Sequence, residues 1–170
     1  MSLPPTLRKA TPADSPKIWD ILSAAIQLRK EQGSAQWQDG YPNPETVNND
    51  IALEQGYVFE SGDRIIGYVA IILNNEPAYD EIEGKWQSDG DYYVIHRLAM
   101  DRNAGGKGLA TQLLKAVEAL ALKNKIFSIR ADTNFDNAAM LKIFKNLDYV
   151  YCGEVYFRGS ARQAFEKLLK

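Results

Sequence analysis

The sequence predicts a mixed α/β domain, a single sheet with helices on its faces. Three observations carry this. Short apolar runs of strand character recur along the chain, segments with helical spacing separate them, and no repeat, linker or low-complexity tract divides the 170 residues. With 45% apolar residues, a chain of this length is one domain's worth, spanning 1–170, and can bury a real core.

Residues 7–9 open as a short strand before the turn-rich Thr11-Pro12-Ala13-Asp14. A helix starts near Asp14 or Ser15, with Pro16 in its first turn, and runs to about Gln32, where Gly33 stops it. Its apolar stripe is Ile18, Ile21, Leu22, Ala25, Ile26 and Leu28. After a loop over 34–43, Asn43-Pro44 reads as the cap and first position of a second helix to about Gln55, closed by Gly56. Residues 57–60 and 64–73 pair as strands around Ser61-Gly62-Asp63, a hairpin signal. Residues 74–91 are long and polar yet carry Tyr79, Ile82 and Trp86, so they read either as a lid or as a surface excursion pinned by its own aromatics. A strand over 92–100, a helix over 108–123 and a strand over 126–131 follow. Then come a helix over 137–146, with Met140, Leu141 and Phe144 inward, and a strand over 149–157. The tail at 161–170 fits a helix by spacing and a strand by alternation.

Composition excludes several classes. A net charge of −2 argues against nonspecific nucleic-acid binding. No apolar run nears the roughly 20 residues of a membrane span. No secretory leader pattern opens the chain, and Met1-Ser2-Leu3 reads as partly added for expression. A single cysteine, Cys152, excludes an internal disulfide and fits a cytoplasmic setting, and one histidine beside one cysteine argues against zinc. Edge strands near the C-terminus are compatible with a homodimer.

The most informative stretch is VIHRLAMDRNAGGKGLAT, residues 94–111. A strand enters a glycine-rich, basic turn that opens directly into a helix. Gly105, Gly106 and Gly108 clear the approach and Lys107 adds charge, while the first turn of the helix offers unpaired N–H groups and the positive end of its dipole. Such a unit suits a phosphate-bearing ligand. Neither the G-x-x-x-x-G-K-S/T pattern nor G-x-G-x-x-G is present.

This run, with DTNFDNAAMLKIFKNLDYVYCGEVY after the next strand, closely resembles the GNAT superfamily of acetyl-CoA-dependent N-acetyltransferases. Gly105–Ala110 fills that family's Arg/Gln-x-x-Gly-x-Gly/Ala loop, and 137–149 fills its Asn-led later helix. The resemblance is strong over 92–157, and QWQDGYPNPE upstream is similar to one bacterial branch. It implies a mixed, mostly antiparallel sheet with helices on both faces and a splay between the fourth and fifth strands. It also implies acetyl-CoA as co-substrate, without a metal. Leu98, Ala99 and Met100 would pair with the pantetheine arm, Leu98 N–H would polarise the thioester carbonyl, and amides of Gly106, Lys107, Gly108, Leu109, Ala110 and Thr111 would hold the pyrophosphate. Asn137 would touch the cofactor arm, or serve as a plain N-cap. Two departures stand out. Gly105 replaces the loop's first Arg or Gln, leaving Arg102 or Lys107 to substitute. Phe144 replaces the tyrosine that in many members protonates the leaving thiolate.

The amine acceptor, a small molecule or a peptide, arrives as an ammonium of pKa about 10.4 and needs a base. His96, two residues before Leu98, is the leading candidate, and alternation puts His96, Leu98 and Met100 on one face. A hydrogen-bonded core histidine is the bland alternative, and Asp132 and Glu154 are further bases. Tyr151 and Tyr156 are the acid candidates, against a packing role. Trp37, Tyr41, Tyr79 and Trp86 would wall the acceptor pocket, with Asp39 or Glu83 drawing in the cation. Cys152 reads as a buried apolar residue and not as a nucleophile. A non-catalytic acyl-CoA sensor or interaction module on the same fold is the alternative function.

Overall fold

The computed structural model describes residues 4–104 and 108–170. Its strands are β1 (Thr6–Lys9), β2 (Gly56–Ser61), β3 (Arg64–Leu73), β4 (Glu83–Gly84), β5 (Tyr93–Met100), β6 (Ser128–Thr133), β7 (Val150–Phe157) and β8 (Ser160–Leu168). Its helices are α1 (Ser15–Glu31), α2 (Pro44–Ala52), α3 (Pro77–Asp80), α4 (Leu109–Lys123) and α5 (Ala138–Asn146). The eight strands form one sheet in the order β1-β2-β3-β5-β6-β8-β7-β4. It is mostly antiparallel, with β5 and β6 parallel. Among the described residues no helix is long and apolar enough to cross a membrane. The ambiguous tail is a strand, β8, because Ser128–Thr133 and Val150–Phe157 offer it partners on both edges. The segment at 74–91, read as one loop, contains α3 and the two-residue β4.

The chain gathers into two compact units, Met1–Ile71 with Arg97–Ala116, and Ile72–His96 with Val117–Lys170. In the first, the β2–β3 hairpin turns at Gly62, whose φ of +61° suits the turn. Alternation along β3 and β5 sends Tyr68 and Ala99 to one face, where Ile18, Ile21 and Leu22 of α1 and Val47 of α2 pack on them. Gly67 and Met100 take the opposite face with Leu113 of α4; a Cβ at Gly67 would stand 2.7 Å from the Met100 methyl. Helices therefore cover both faces.

In the second unit, Ala164 of β8 joins Ile72, Tyr79, Tyr92, Val94 and Val155 on one face. Its neighbour Phe165 meets Phe144 of α5 on the other, with ring centroids 4.9 Å apart. Parallel pairing of β5 with β6 runs only from Tyr93↔Ile129 to Ile95↔Ala131, although β5 continues to Met100. At the sheet edge Gly84 and Gly153 face each other so closely that a Cβ on either would strike the opposite backbone, at 2.1 Å from Cys152 O and 2.2 Å from Glu83 O. Only glycine admits that approach.

Candidate active site

In the first unit the strand hands over to the turn through Asp101. Its N–H donates to Ile66 O at 2.8 Å, its Oδ1 accepts from Asn103 N at 2.9 Å, and its Oδ2 receives Lys17 Nζ at 2.8 Å. Arg64 adds a hydrogen bond to Asn103 O at 2.7 Å. Gly105, Gly106 and Lys107 lie outside the described residues. Gly108 follows with a left-handed φ of +82°, and, its chain neighbours apart, no atom of the described residues lies within 4 Å of where its Cβ would be. Gln112 N donates to Gly108 O at 2.9 Å, so Leu109, Ala110 and Thr111 stand before that donor, in the first turn of α4. The first turn of α4 and the positive end of its dipole thus follow directly on Gly108, an arrangement suited to phosphate.

Arg97, mid-strand in β5, has φ +56°. A non-glycine residue in the left-handed region inside a strand breaks the two-residue alternation. The alternation that groups His96 with Leu98 and Met100 therefore does not carry through Arg97. Its guanidinium is buried against Asp50 of α2, with Nε 3.0 Å and Nη2 2.6 Å from the carboxylate. Tyr68 OH donates to the same carboxylate at 2.6 Å, and Arg97 Nη1 donates to the Tyr41 hydroxyl. Tyr41, expected to wall the acceptor pocket, is tied to this network. Trp37 packs against the core of the first unit, and Asp39 is exposed.

In the second unit His96 stands between two carboxylates. Glu76 Oε2 is 2.6 Å from its Nε2, and Asp132 Oδ2 is 3.9 Å from its Nδ1. All three are largely enclosed, with side chains 14%, 16% and 3% exposed. Tyr79 OH donates to Asp132 Oδ2 at 2.6 Å, and Arg162 Nη1 approaches Asp132 Oδ1 at 3.7 Å. Phe157 meets the imidazole edge-on at 5.8 Å. Among the described residues no group of three His, Cys, Asp or Glu is arranged to hold a metal ion.

The family model described as Acetyltransferase (GNAT) family matches residues 22–149. The chain belongs to the GNAT acetyltransferase family. A GNAT-family acetyltransferase from Streptococcus agalactiae is similar over 98% of this chain and 96% of its own, at 34% identity and TM-score 0.89. One from Listeria monocytogenes covers 99% and 95% at 22% identity and TM-score 0.77. The fold is also shared by yncA from Salmonella typhimurium, solved with its cofactor acetyl-CoA, at 19% identity, 99% and 95% coverage and TM-score 0.66. Comparison with curated proteins gives no match.

The remaining residues of this GNAT chain fall as follows. Asn137 caps α5, its Oδ1 accepting from Met140 N at 3.2 Å. Phe144, at the family's tyrosine position, is wholly buried among Tyr149 and Phe165. Tyr151 is exposed and edge-on to Phe165, while Tyr156 OH donates to Glu83 and Glu154 on the β4–β7 edge. Those carboxylates push the Tyr156 phenol up to about 12. Of the aromatics expected in a lid, Tyr79 is entirely inside, and Trp86 lies tilted against it at 4.9 Å and donates to its carbonyl at 2.9 Å. Gln87 N and Ser88 OH bind buried Glu166, and Arg130 lies 4.5 Å over Trp86. The segment is pinned by its own aromatics; Tyr79 and Trp86 spend their polar groups inward, so the lid reading gives way. Burial pushes the Cys152 thiol up, away from a reactive thiolate. Sequence reasoning missed Glu76, although Glu76-Pro77 is an N-terminal helix signal.

Proposed function

We propose that this GNAT acyltransferase moves the acetyl group of acetyl-CoA to a primary amine of a small molecule or peptide by direct attack. The observation that carries this is the open, left-handed Gly108 at the head of α4, eight positions beyond the end of β5, in a chain of this family. Acetyl-CoA supplies an activated thioester. The chain's own groups do the rest. Amides from Gly106 to Thr111 grip the pyrophosphate, and the backbone of Leu98, Ala99 and Met100, beyond the last β5–β6 pair, serves the pantetheine arm. The Leu98 amide polarises the carbonyl, a contribution of about 2.7–4 kcal/mol for one such donor.

His96 takes a proton from the ammonium, freeing the lone pair that forms the N–C bond as the C–S bond breaks. In all the ammonium loses two protons, one ending on the thiol and one in solvent. Tyr156, its phenol already bound to two carboxylates, is a reluctant acid, so the proton gained by His96 is the one available to the leaving thiolate.

Thiol release from acetyl-CoA, screened against amino acids, polyamines, aminoglycosides and peptides, tests the reading. Gly108→Glu is expected to weaken CoA binding sharply; unchanged affinity would sink the pyrophosphate clamp. His96→Ala is expected to lower kcat by about 10²–10⁴-fold with CoA binding intact. CoA binding without turnover on any amine would favour the sensor.

A further inference from the structure

The geometry assigns to Glu76 the positioning of the base: it fixes His96 as the Nε2–H tautomer, so that Nδ1 carries the lone pair that accepts the substrate proton. This rests on the proposed role of His96. An ionised carboxylate only accepts hydrogen bonds, so the 2.6 Å contact between Glu76 Oε2 and His96 Nε2 requires the proton on Nε2. The other nitrogen is thereby left basic.

Glu76 is itself held. Its Oε1 accepts from Ala78 N at 3.3 Å as the N-cap of α3, and Pro77 occupies the first position of that helix. One oxygen therefore serves the helix and the other the imidazole. The same short helix supplies Tyr79, whose hydroxyl holds Asp132 at 2.6 Å. Asp132 faces Nδ1 from 3.9 Å, too far for a direct hydrogen bond and close enough to stabilise a proton arriving there. Phe157 and Tyr79 pack against the imidazole at ring distances of 5.8 and 6.2 Å. The step is a transfer from the ammonium N–H to Nδ1, leaving a free amine and an imidazolium flanked by two carboxylates. No feature of local sequence joins these groups: Glu76 is 20 residues from His96.

His96 is the only histidine, so 15N-histidine labelling gives one pair of ring signals without assignment. The neutral ring is expected as Nε2–H in the intact protein. Glu76→Ala is expected to mix the tautomers and to lower kcat about tenfold or more at unchanged KM for acetyl-CoA. Glu76→Gln has one acceptor oxygen for the two donors that Glu76 serves, so it is expected to favour the Nε2–H tautomer less than the parent and more than Glu76→Ala, and to recover part of kcat. An Nδ1–H signal in the intact protein would overturn the assignment, as would a Glu76→Ala variant with tautomer and kcat unchanged while His96→Ala is inactive. Full turnover in His96→Ala would overturn both the base and its positioning.

Discussion

At the scale of single residues, burial decides which charges matter. Asp50 and Arg97 are 6% and 9% exposed, and the carboxylate also accepts from Tyr68. Removing one partner of a buried pair strands the other's charge in a poorly solvated place. Asp50→Ala is therefore expected to destabilise the protein by about 3–5 kcal/mol in urea unfolding. The Lys9–Glu54 pair, at 3.5 Å with side chains 55% and 76% exposed, is the control. Glu54→Ala should stay within about 1 kcal/mol of the parent. An equal loss in both would show that the Asp50 network adds nothing beyond a surface pair. Arg97 shows what sequence cannot express, since its left-handed φ turns the strand and no neighbouring glycine announces it.

At the scale of elements, the caps and turns were legible because their signals are local. Asn43-Pro44 opens α2, Gly62 turns the β2–β3 hairpin, and Asn137 caps α5 through Met140 N. Asn137→Ala is expected to cost about 1 kcal/mol, a fall in Tm of about 2–4 °C for a chain of this size. Asn137→Asp, also a good cap, should hold the Tm. A raised KM for acetyl-CoA in the Asp variant would then report a cofactor contact separate from capping. β4 was not legible: two residues carry no periodicity, and its pairing depends on Gly153, 69 positions from Gly84. The 74–91 segment was ambiguous for the same reason, because besides its own aromatics it is held by Glu166 and Arg130, on strands far along the chain.

For the molecule as a whole, buried carboxylates set the acid limit. Two hydrogen bonds from Arg8 hold Asp14 down at about 2. Burial opposes the charge on Asp101 and Glu166, but Lys17 and the Asn103 amide outweigh it at Asp101, and the Ser128 and Ser88 hydroxyls at Glu166, so both lie below the ordinary range. Each folded value is below its unfolded one, near 3.9–4.3, so the unfolded chain binds protons first as pH falls. Their stabilisation is complete above roughly pH 5 and is lost from about 4 downward, for Asp14 through about 2. Urea midpoints measured at pH 7, 5, 4 and 3 should be level between the first two and then drop. Asp14→Asn should shallow that drop, and an unaltered acid slope would remove Asp14 from the account.

The sequence by itself determined the order of the longer strands and helices as far as β7, the family, and the strand–glycine turn–helix unit, because caps, hairpins and amphipathic spacing act between residues a few positions apart. Only the tertiary structure decided that the tail is a strand, that the aromatics at 74–91 point inward, and that His96 stands between Glu76 and Asp132. Those outcomes depend on hydrogen-bond partners brought together from distant parts of the chain, and a partner 20 or more residues away leaves no local trace in the pattern.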